Sequence, residues 1–322
     1  MSREHGIPVD RVSLVEMGPR DGLQNEARIL PLDQRLELIA RLAESGLQRI
    51  EVGAFVSPKK VPQMADSAAL FNALPRKGPT RYGALVPNLQ GLQAAIAARV
   101  DEIGLFTACS DGFTRANIGI GVEESLIRFA PLVAEARRLG IKVRGYLSTV
   151  IACPFDGPTR PKRVAALAER LLDLGCHEIS LGDTIGVGTP GTVAPMLDAV
   201  LHEVPAGRLA VHFHDTYGQG LANLLPALER GIRTIDCSVA GLGGCPYAPG
   251  ASGNLASEEV VYLLHGLGMS TGVDLDKLAA TGQWVSERLG HGNGSRVGRA
   301  LHARALQLAA QHEIAQGECH GP

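Results

Sequence analysis

The sequence predicts a (β/α)8 barrel followed by extra C-terminal helices. Two patterns lead there. Short runs of β-formers alternate with amphipathic helical segments eight times in roughly 255 residues, and every strand is followed by a helical segment, the order that builds a parallel sheet through crossover helices. A third observation separates the barrel from an open doubly wound sheet: no G-x-G-x-x-G follows the first strand.

The elements follow in order. "RVSLVEMG" (11–18) is a strand stopped by Gly18-Pro19, and residues 31–46 space Leu32, Leu36, Ile39 and Leu42 as a helix ended by Gly46. "QRIEVGAF" (48–55) is the second strand, with a helix near 62–74. "RYGALVP" (81–87) precedes a helix to about Arg99, and "DEIGLFTA" (101–108) precedes a helix over 123–140 closed by Gly140. "IKVRGYLSTV" (141–150), a helix over 161–175, "HEISLGDT" (177–184) and a helix over 190–203 continue the alternation. "RLAVHFHD" (208–215), a helix over 219–231, "IRTIDCSVAG" (232–241) and a helix near 256–266 complete it. This gives a barrel domain over 10–268. Helical patterns at 274–289 and 296–312 form a C-terminal extension over 269–315, packed on the barrel or covering one end, and 316–322 is a loose tail.

Composition narrows the function classes. The chain has 322 residues, 45% hydrophobic and 20% charged, with a formal net charge of −2. No global basic field recruits nucleic acid, and with aromatics at 4% there is little to stack single strands upon. No apolar run approaches the roughly 20 residues that span a bilayer, and the N-terminus lacks an apolar signal core. Six scattered cysteines without a C-x-x-C pair suit reduced thiols in a cytoplasmic protein.

The segment "VHFHDTYGQG" (211–220) carries the first chemical signal. Side chains on a strand alternate, so His212 and His214 share one face while Val211 and Phe213 take the other. Two imidazoles then converge on one point, as metal ligands or as a hydrogen-bonded pair at the rim. Active sites of such barrels lie at the C-terminal ends of the strands. Reading each strand end gathers Arg20 and Asp21 from the first, Glu51 from the second, Tyr146 from the fifth, Ser180 and Asp183 from the sixth, and the two histidines from the seventh. Asp21 is the best carboxylate partner, with a structural salt bridge or cap as its alternative. Asn254 offers a neutral oxygen, unless it caps the helix that "NLASEE" begins. Two nitrogens, a carboxylate, an amide and waters suit six-coordinate Mg²⁺ or Mn²⁺ better than Zn²⁺. Loop 241–254 holds five glycines and Cys245, whose thiol would face the rim as a proton donor or nucleophile, or remain an inert small residue.

Six stretches, "EMGPRDGLQNE", "FVSPKKVPQMAD", "VRGY", "EISLGDTIGVGTPG", "VHFHDTYGQGLAN" and "SVAGLGGCPYAPGASGNLASE", together resemble the 3-hydroxy-3-methylglutaryl-CoA (HMG-CoA) lyases, from about residue 12 to residue 290. The resemblance implies a metal-dependent lyase that cleaves HMG-CoA to acetoacetate and acetyl-CoA, a step of leucine degradation, in a cytoplasmic homodimer with no nucleic-acid or membrane partner. It implies Asp21, His212, His214 and Asn254 as metal ligands, and Arg20 as the group that steadies the thioester enolate. Asp21 or His212 would be the base, and Cys245 would transfer the proton. Glu51 would support catalysis. Gln24, Tyr146, Asp183 and Ser180 would border the substrate, Ser180 near its carboxylate.

Two positions depart from the family pattern. Ala54 stands where these lyases commonly carry serine, and Asp111-Gly112 where many carry glutamate and a larger residue. Both are expected beside the acyl group or the CoA. A shorter substrate such as citramalyl-CoA, giving pyruvate, is the alternative that Ala54 raises. Acetyl-CoA-dependent condensing enzymes share the barrel and the H-x-H strand, but usually carry a long C-terminal region. A non-catalytic CoA-binding barrel would not need the full set of rim ligands.

Overall fold

A computed structural model describes residues 10–76, 78–244 and 253–318, with side chains described as far as residue 311. Eight strands, β1 (Ser13–Glu16), β2 (Arg49–Ala54), β3 (Arg81–Leu85), β4 (Glu102–Ala108), β5 (Lys142–Ser148), β6 (Glu178–Asp183), β7 (Leu209–Phe213) and β8 (Thr234–Cys237), pair in parallel in sequence order. The ring closes where β1 meets β8, with Glu16 opposite Cys237. Closure leaves no unpaired edge, and the strand order is that of a (β/α)8 barrel.

The crossover helices are α1 (Leu32–Glu44), α2 (Ser67–Ala73), α3 (Leu89–Ala97), α5 (Val122–Arg138), α6 (Pro161–Leu174), α7 (Pro190–Leu201), α8 (Gly220–Glu229) and α9 (Ser257–Gly266). Their apolar stripes explain their placement. In α6, Val164, Leu167, Ala168 and Leu171 recur at helical spacing and are buried, and Gly175, at φ +113°, ends the helix in the left-handed region. Each such leucine contributes on the order of 2 kcal/mol through burial.

Two elements were absent from the sequence expectation. Helix α4 (Asp111–Ile118) lies between β4 and α5, and a ribbon of two short antiparallel strands (Ala152–Cys153 and Gly157–Pro158) follows β5. They hold each other. The Asp156 carboxylate, at the ribbon turn, accepts the Gly112 N–H at 2.8 Å, at the start of α4. A Cβ on Gly112 would overlap that carboxylate. The Asp111 carboxylate accepts the Val122 N–H at 2.8 Å, where α5 begins. These bonds give Asp111 and Gly112 structural work.

Helix α10 (Leu275–Leu289) packs on α1 and on the turn after β8, and α11 (Arg296–Glu318) packs on α9 and α10. Among the described residues no helix is long and apolar enough to cross a membrane.

The apolar core lies between the sheet and its helices, whereas the barrel interior is charged. At its floor Arg49 bridges Glu102 at 3.1 Å and Glu178 at 2.8 Å. One level higher Arg144 bridges Glu178 and Asp236, both at 2.6 Å. Buried charges are tolerable only when paired in this way.

Candidate metal centre and substrate cavity

The first strand ends in an unusual turn. After Glu16 the chain makes one wide π-helical turn over Gly18–Gly22, closed by the Gly22 N–H on the Met17 carbonyl at 3.1 Å. Pro19 suits the first turn of a helix, where no N–H is needed. Gly18 is required because a Cβ there would come within 2.6 Å of the Glu16 carboxylate, which folds back to accept the Gly18 N–H at 2.8 Å. Such turns are frequent at functional sites. This one lifts Arg20 and Asp21 over the barrel mouth.

Arg20 is buried, and its guanidinium bonds the Glu51 carboxylate and, at 2.7 Å, Asp21. Burial alone would weaken its charge, but the Glu51 and Asp21 carboxylates outweigh that and hold Arg20 firmly protonated. The Tyr146 hydroxyl donates to Glu51. Burial, reinforced by Glu51, raises the Tyr146 pKa well above its ordinary value, so the phenol keeps its proton. Glu51 is thus a clamp with Arg20 on one oxygen and Tyr146 on the other.

Across the mouth, His212 of β7 and His214 just beyond its end project to the same side, with their Nε2 atoms 3.2 Å apart. Asp21 Oδ2 lies 3.9 Å from His212 Nε2. One ligand atom from each of Asp21, His212 and His214 lies within 4.8 Å of the others. Burial, then His212, push the His214 pKa down to about 4 against the opposing pull of Asp21, so the imidazole is neutral and its lone pair available. Burial would raise the Asp21 carboxyl, but the Arg20 guanidinium, helped by the Asn254 hydrogen bond, outweighs it and keeps Asp21 ionised. Asn254 bridges back to His214 across the loop end. Its Nδ2 donates to Asp21 at 2.9 Å and to the Leu242 carbonyl at 3.2 Å, which leaves Oδ1 buried with no partner among the described residues. A buried amide oxygen without a donor costs free energy unless something engages it. A divalent cation fits these four donors: two neutral imidazoles, one carboxylate and one spare amide oxygen. Gly243, at φ +115°, makes this approach possible, since a Cβ there would come within 2.6 Å of Asn254 Nδ2.

The cluster opens onto a cavity of about 1160 Å³. Arg20, Asp21, Gln24, Tyr146, Ser180, His212 and His214 line it. Phe106, Phe113 and Phe129 add an apolar wall, and Lys60 and Arg128 add positive charge.

Several sequence expectations need correction. Ala54 is buried in the hydrophobic core and, among the described residues, is not one that lines the cavity. Asp183 is buried as well. It accepts the Gly188 N–H at 2.8 Å and pins the loop after β6, and burial, opposed by the N–H groups of Gly188, Val187 and Gly186, raises its pKa to about 6. Ser180 reaches the cavity, but its hydroxyl donates to Asp236 at 2.7 Å. It therefore presents lone pairs, which suit a substrate hydroxyl or a water better than the carboxylate assigned to it. Of the Asp111-Gly112 segment, it is the next residue, Phe113, that faces the cavity. Cys245 lies outside the described residues.

Sequence reasoning missed Asp236 and Arg144. Each is a charge among buried neighbours, in "TIDC" and "VRGYL", and such a charge demands a buried counter-charge.

The family model described as HMGL-like matches residues 11–285. The chain belongs to the HMGL-like family. It is 53% identical over 306 residues to a mitochondrial hydroxymethylglutaryl-CoA lyase of Arabidopsis thaliana, covering 95% of this chain and 65% of that protein's length. It is 51% identical over 295 residues to a 3-hydroxy-3-isohexenylglutaryl-CoA/hydroxymethylglutaryl-CoA lyase of Pseudomonas aeruginosa, covering 92% of this chain and 98% of that protein. The crystal structure of hydroxymethylglutaryl-CoA lyase from Pseudomonas aeruginosa superposes with a TM-score of 0.90 at 50% identity, over 92% of this chain and all of that one. An HMGL-like barrel with these relatives is an enzyme scaffold, which sets aside the non-catalytic reading, and the resemblance drawn from the six motifs is the family found.

Proposed function

We propose that the chain is a divalent-metal-dependent carbon–carbon lyase that cleaves HMG-CoA to acetoacetate and acetyl-CoA. The observation that carries this reading is the meeting of Arg20, Asp21, His212 and His214 on one cavity wall. Asp21, His212, His214 and the spare oxygen of Asn254 would hold Mg²⁺ or Mn²⁺, which when bound supplies Lewis acidity to substrate oxygens. Asp21, whose carboxylate has a second oxygen beyond the one a cation would take, would accept the proton of the C3 hydroxyl, since an imidazole with both nitrogens engaged has no lone pair for it. Loss of that proton lets the C2–C3 bond break and pushes charge onto the thioester oxygen. Arg20, fixed by Glu51, carries a permanent charge toward that developing oxyanion and needs no reorganisation to meet it. Cys245 is the proposed donor to the carbanion carbon. The substrate would be an acyl-CoA, its thioester arm running along the apolar wall.

The relatives named as hydroxymethylglutaryl-CoA lyases, about half identical along almost the whole chain, favour HMG-CoA over citramalyl-CoA and over condensation with acetyl-CoA. The aromatic wall of Phe106, Phe113 and Phe129 also offers room for a longer apolar substituent at C3. The test is an assay of chelated and Mn²⁺-loaded protein on HMG-CoA, 3-hydroxy-3-isohexenylglutaryl-CoA and citramalyl-CoA, with acetyl-CoA and the keto acid measured together. Metal-dependent release of acetyl-CoA and acetoacetate in equal amounts is expected. A citramalyl-CoA kcat/KM tenfold above that for HMG-CoA would overturn the substrate assignment, and full activity after exhaustive chelation would overturn the metal.

A further inference from the structure

Asp236 touches neither the cavity nor the proposed cation, yet it organises both. It sits in β8 directly opposite His212 in the strand register. Its Oδ2 lies 3.3 Å from His212 Nδ1 and accepts the Ser180 hydroxyl at 2.7 Å. Its Oδ1 accepts from Arg144 at 2.6 Å. The carboxylate is fully buried and offers only lone pairs, so the group facing it from His212 must be an N–H.

We propose that Asp236 is the positioning residue of this centre, holding His212 in the tautomer with Nδ1 protonated and Nε2 bare, and turning Ser180 so that its lone pairs face the cavity. A histidine ligand needs an unprotonated nitrogen, and which one is bare is set by the hydrogen bond that the other makes. Asp236 makes that choice for His212, and Arg144 anchors Asp236 from below while itself held by Glu178 at 2.6 Å. The chain Glu178–Arg144–Asp236–His212 runs from the barrel floor to the candidate metal centre, and the ring orientation is set through rigid strands instead of a loop. One carboxylate oxygen thus controls a metal ligand and a cavity-lining hydroxyl together. This inference rests on the metal reading of the preceding subsection.

The decisive variant is Asp236→Asn, which keeps the shape and can turn its amide N–H₂ toward Nδ1, so that Nε2 carries the proton. Mn²⁺ binding to the metal-free enzyme, followed by electron paramagnetic resonance, should weaken tenfold to a hundredfold. A loss of less than tenfold would overturn the proposal. Because Arg144 loses one of its two carboxylates in this variant, a second measurement needs no substitution at Asp236. Long-range ¹H–¹⁵N correlation on the metal-free wild type at pH 8, with His212 assigned by its absence in His212→Gln, should show the Nδ1-protonated tautomer. The Nε2-protonated tautomer there would overturn the proposal even if the variant fails to fold. Wild type that binds no Mn²⁺ at all would sink the metal reading, and the tautomer measurement would still judge Asp236.

Discussion

Glu16 supplies a test of the energetics beneath the site. Its carboxylate is fully buried under the barrel mouth, where one oxygen accepts the N–H groups of Gly18 and Val239, both at 2.8 Å, and the other accepts the Ser257 hydroxyl at 2.6 Å. Burial raises its pKa from the ordinary 4.5 to about 7, opposed by Ser257, Val239 and Gly18. The native state therefore holds the proton more tightly than the unfolded chain. Stability on this account is greatest below pH 4.5 and falls as pH rises toward 7, where the acid must ionise in place. At 1.36 kcal/mol per pH unit, the loss across that window is about 3 kcal/mol. Glu16→Gln keeps an acceptor for the two N–H groups and has no proton to lose. Urea unfolding of both chains from pH 4 to pH 8 should show the variant gaining about 3 kcal/mol on the wild type, with the difference levelling off as pH 8 is reached. A difference that stays constant across the window would refute the reasoning.

Three further outcomes follow from the site. His214→Ala should lower bound Mn²⁺ and turnover together while circular dichroism stays native; unchanged metal content would remove His214 from the ligand set. Arg20→Gln should depress kcat by roughly 10²-fold or more with a modest change in KM, the pattern of an interaction made in the transition state, and a variant altered only in KM would reassign Arg20 to substrate binding. Alkylation with iodoacetamide should inactivate the enzyme through Cys245, with HMG-CoA protecting and with Cys319→Ser equally sensitive, while Cys109, Cys153, Cys176 and Cys237 are all buried; Cys245→Ser with wild-type rate and wild-type sensitivity to alkylation would remove it from the mechanism.

The barrel was legible because each strand and helix carries its own period. The proximity of His212 and His214 was legible for the same reason, since a spacing of two on a strand is a statement about direction. Asp236 was not, because its role depends on which residue of β7 lies opposite it, and register between strands is set by the closed barrel. Helix α4 was hidden for another reason. "DGFTRANI" is a poor helix by composition, with Gly112 near its start and Asn117 near its end, and it is held from outside by Asp156, 44 residues further along the chain. Ser180 was correctly placed on the rim by strand position, but the direction of its proton is fixed by Asp236 and could not be read from "EISLGD".

The charged interior of the barrel bears on how this chain folds. Arg49 and Glu178 are 129 residues apart in sequence, and Arg144 and Asp236 are 92 apart. A sheet that had paired β1 to β5 and not yet gathered β6 to β8 would keep Arg49 and Arg144 in water, where they are well solvated. Burying them before Glu178 and Asp236 arrive would leave Arg49 with Glu102 of β4 but strand Arg144 without a carboxylate in low dielectric, at a cost of several kcal/mol. A strand slipped by one residue would turn the same charges outward, toward the hydrocarbon layer. The salt bridges thereby act as a proofreading step: dry collapse of the half-built barrel is penalised, and the penalty lifts only when the last strands arrive in register. The same strands deliver His212 and Asp236 to the mouth, so the assembly that passes this check is the one that has built the candidate metal centre.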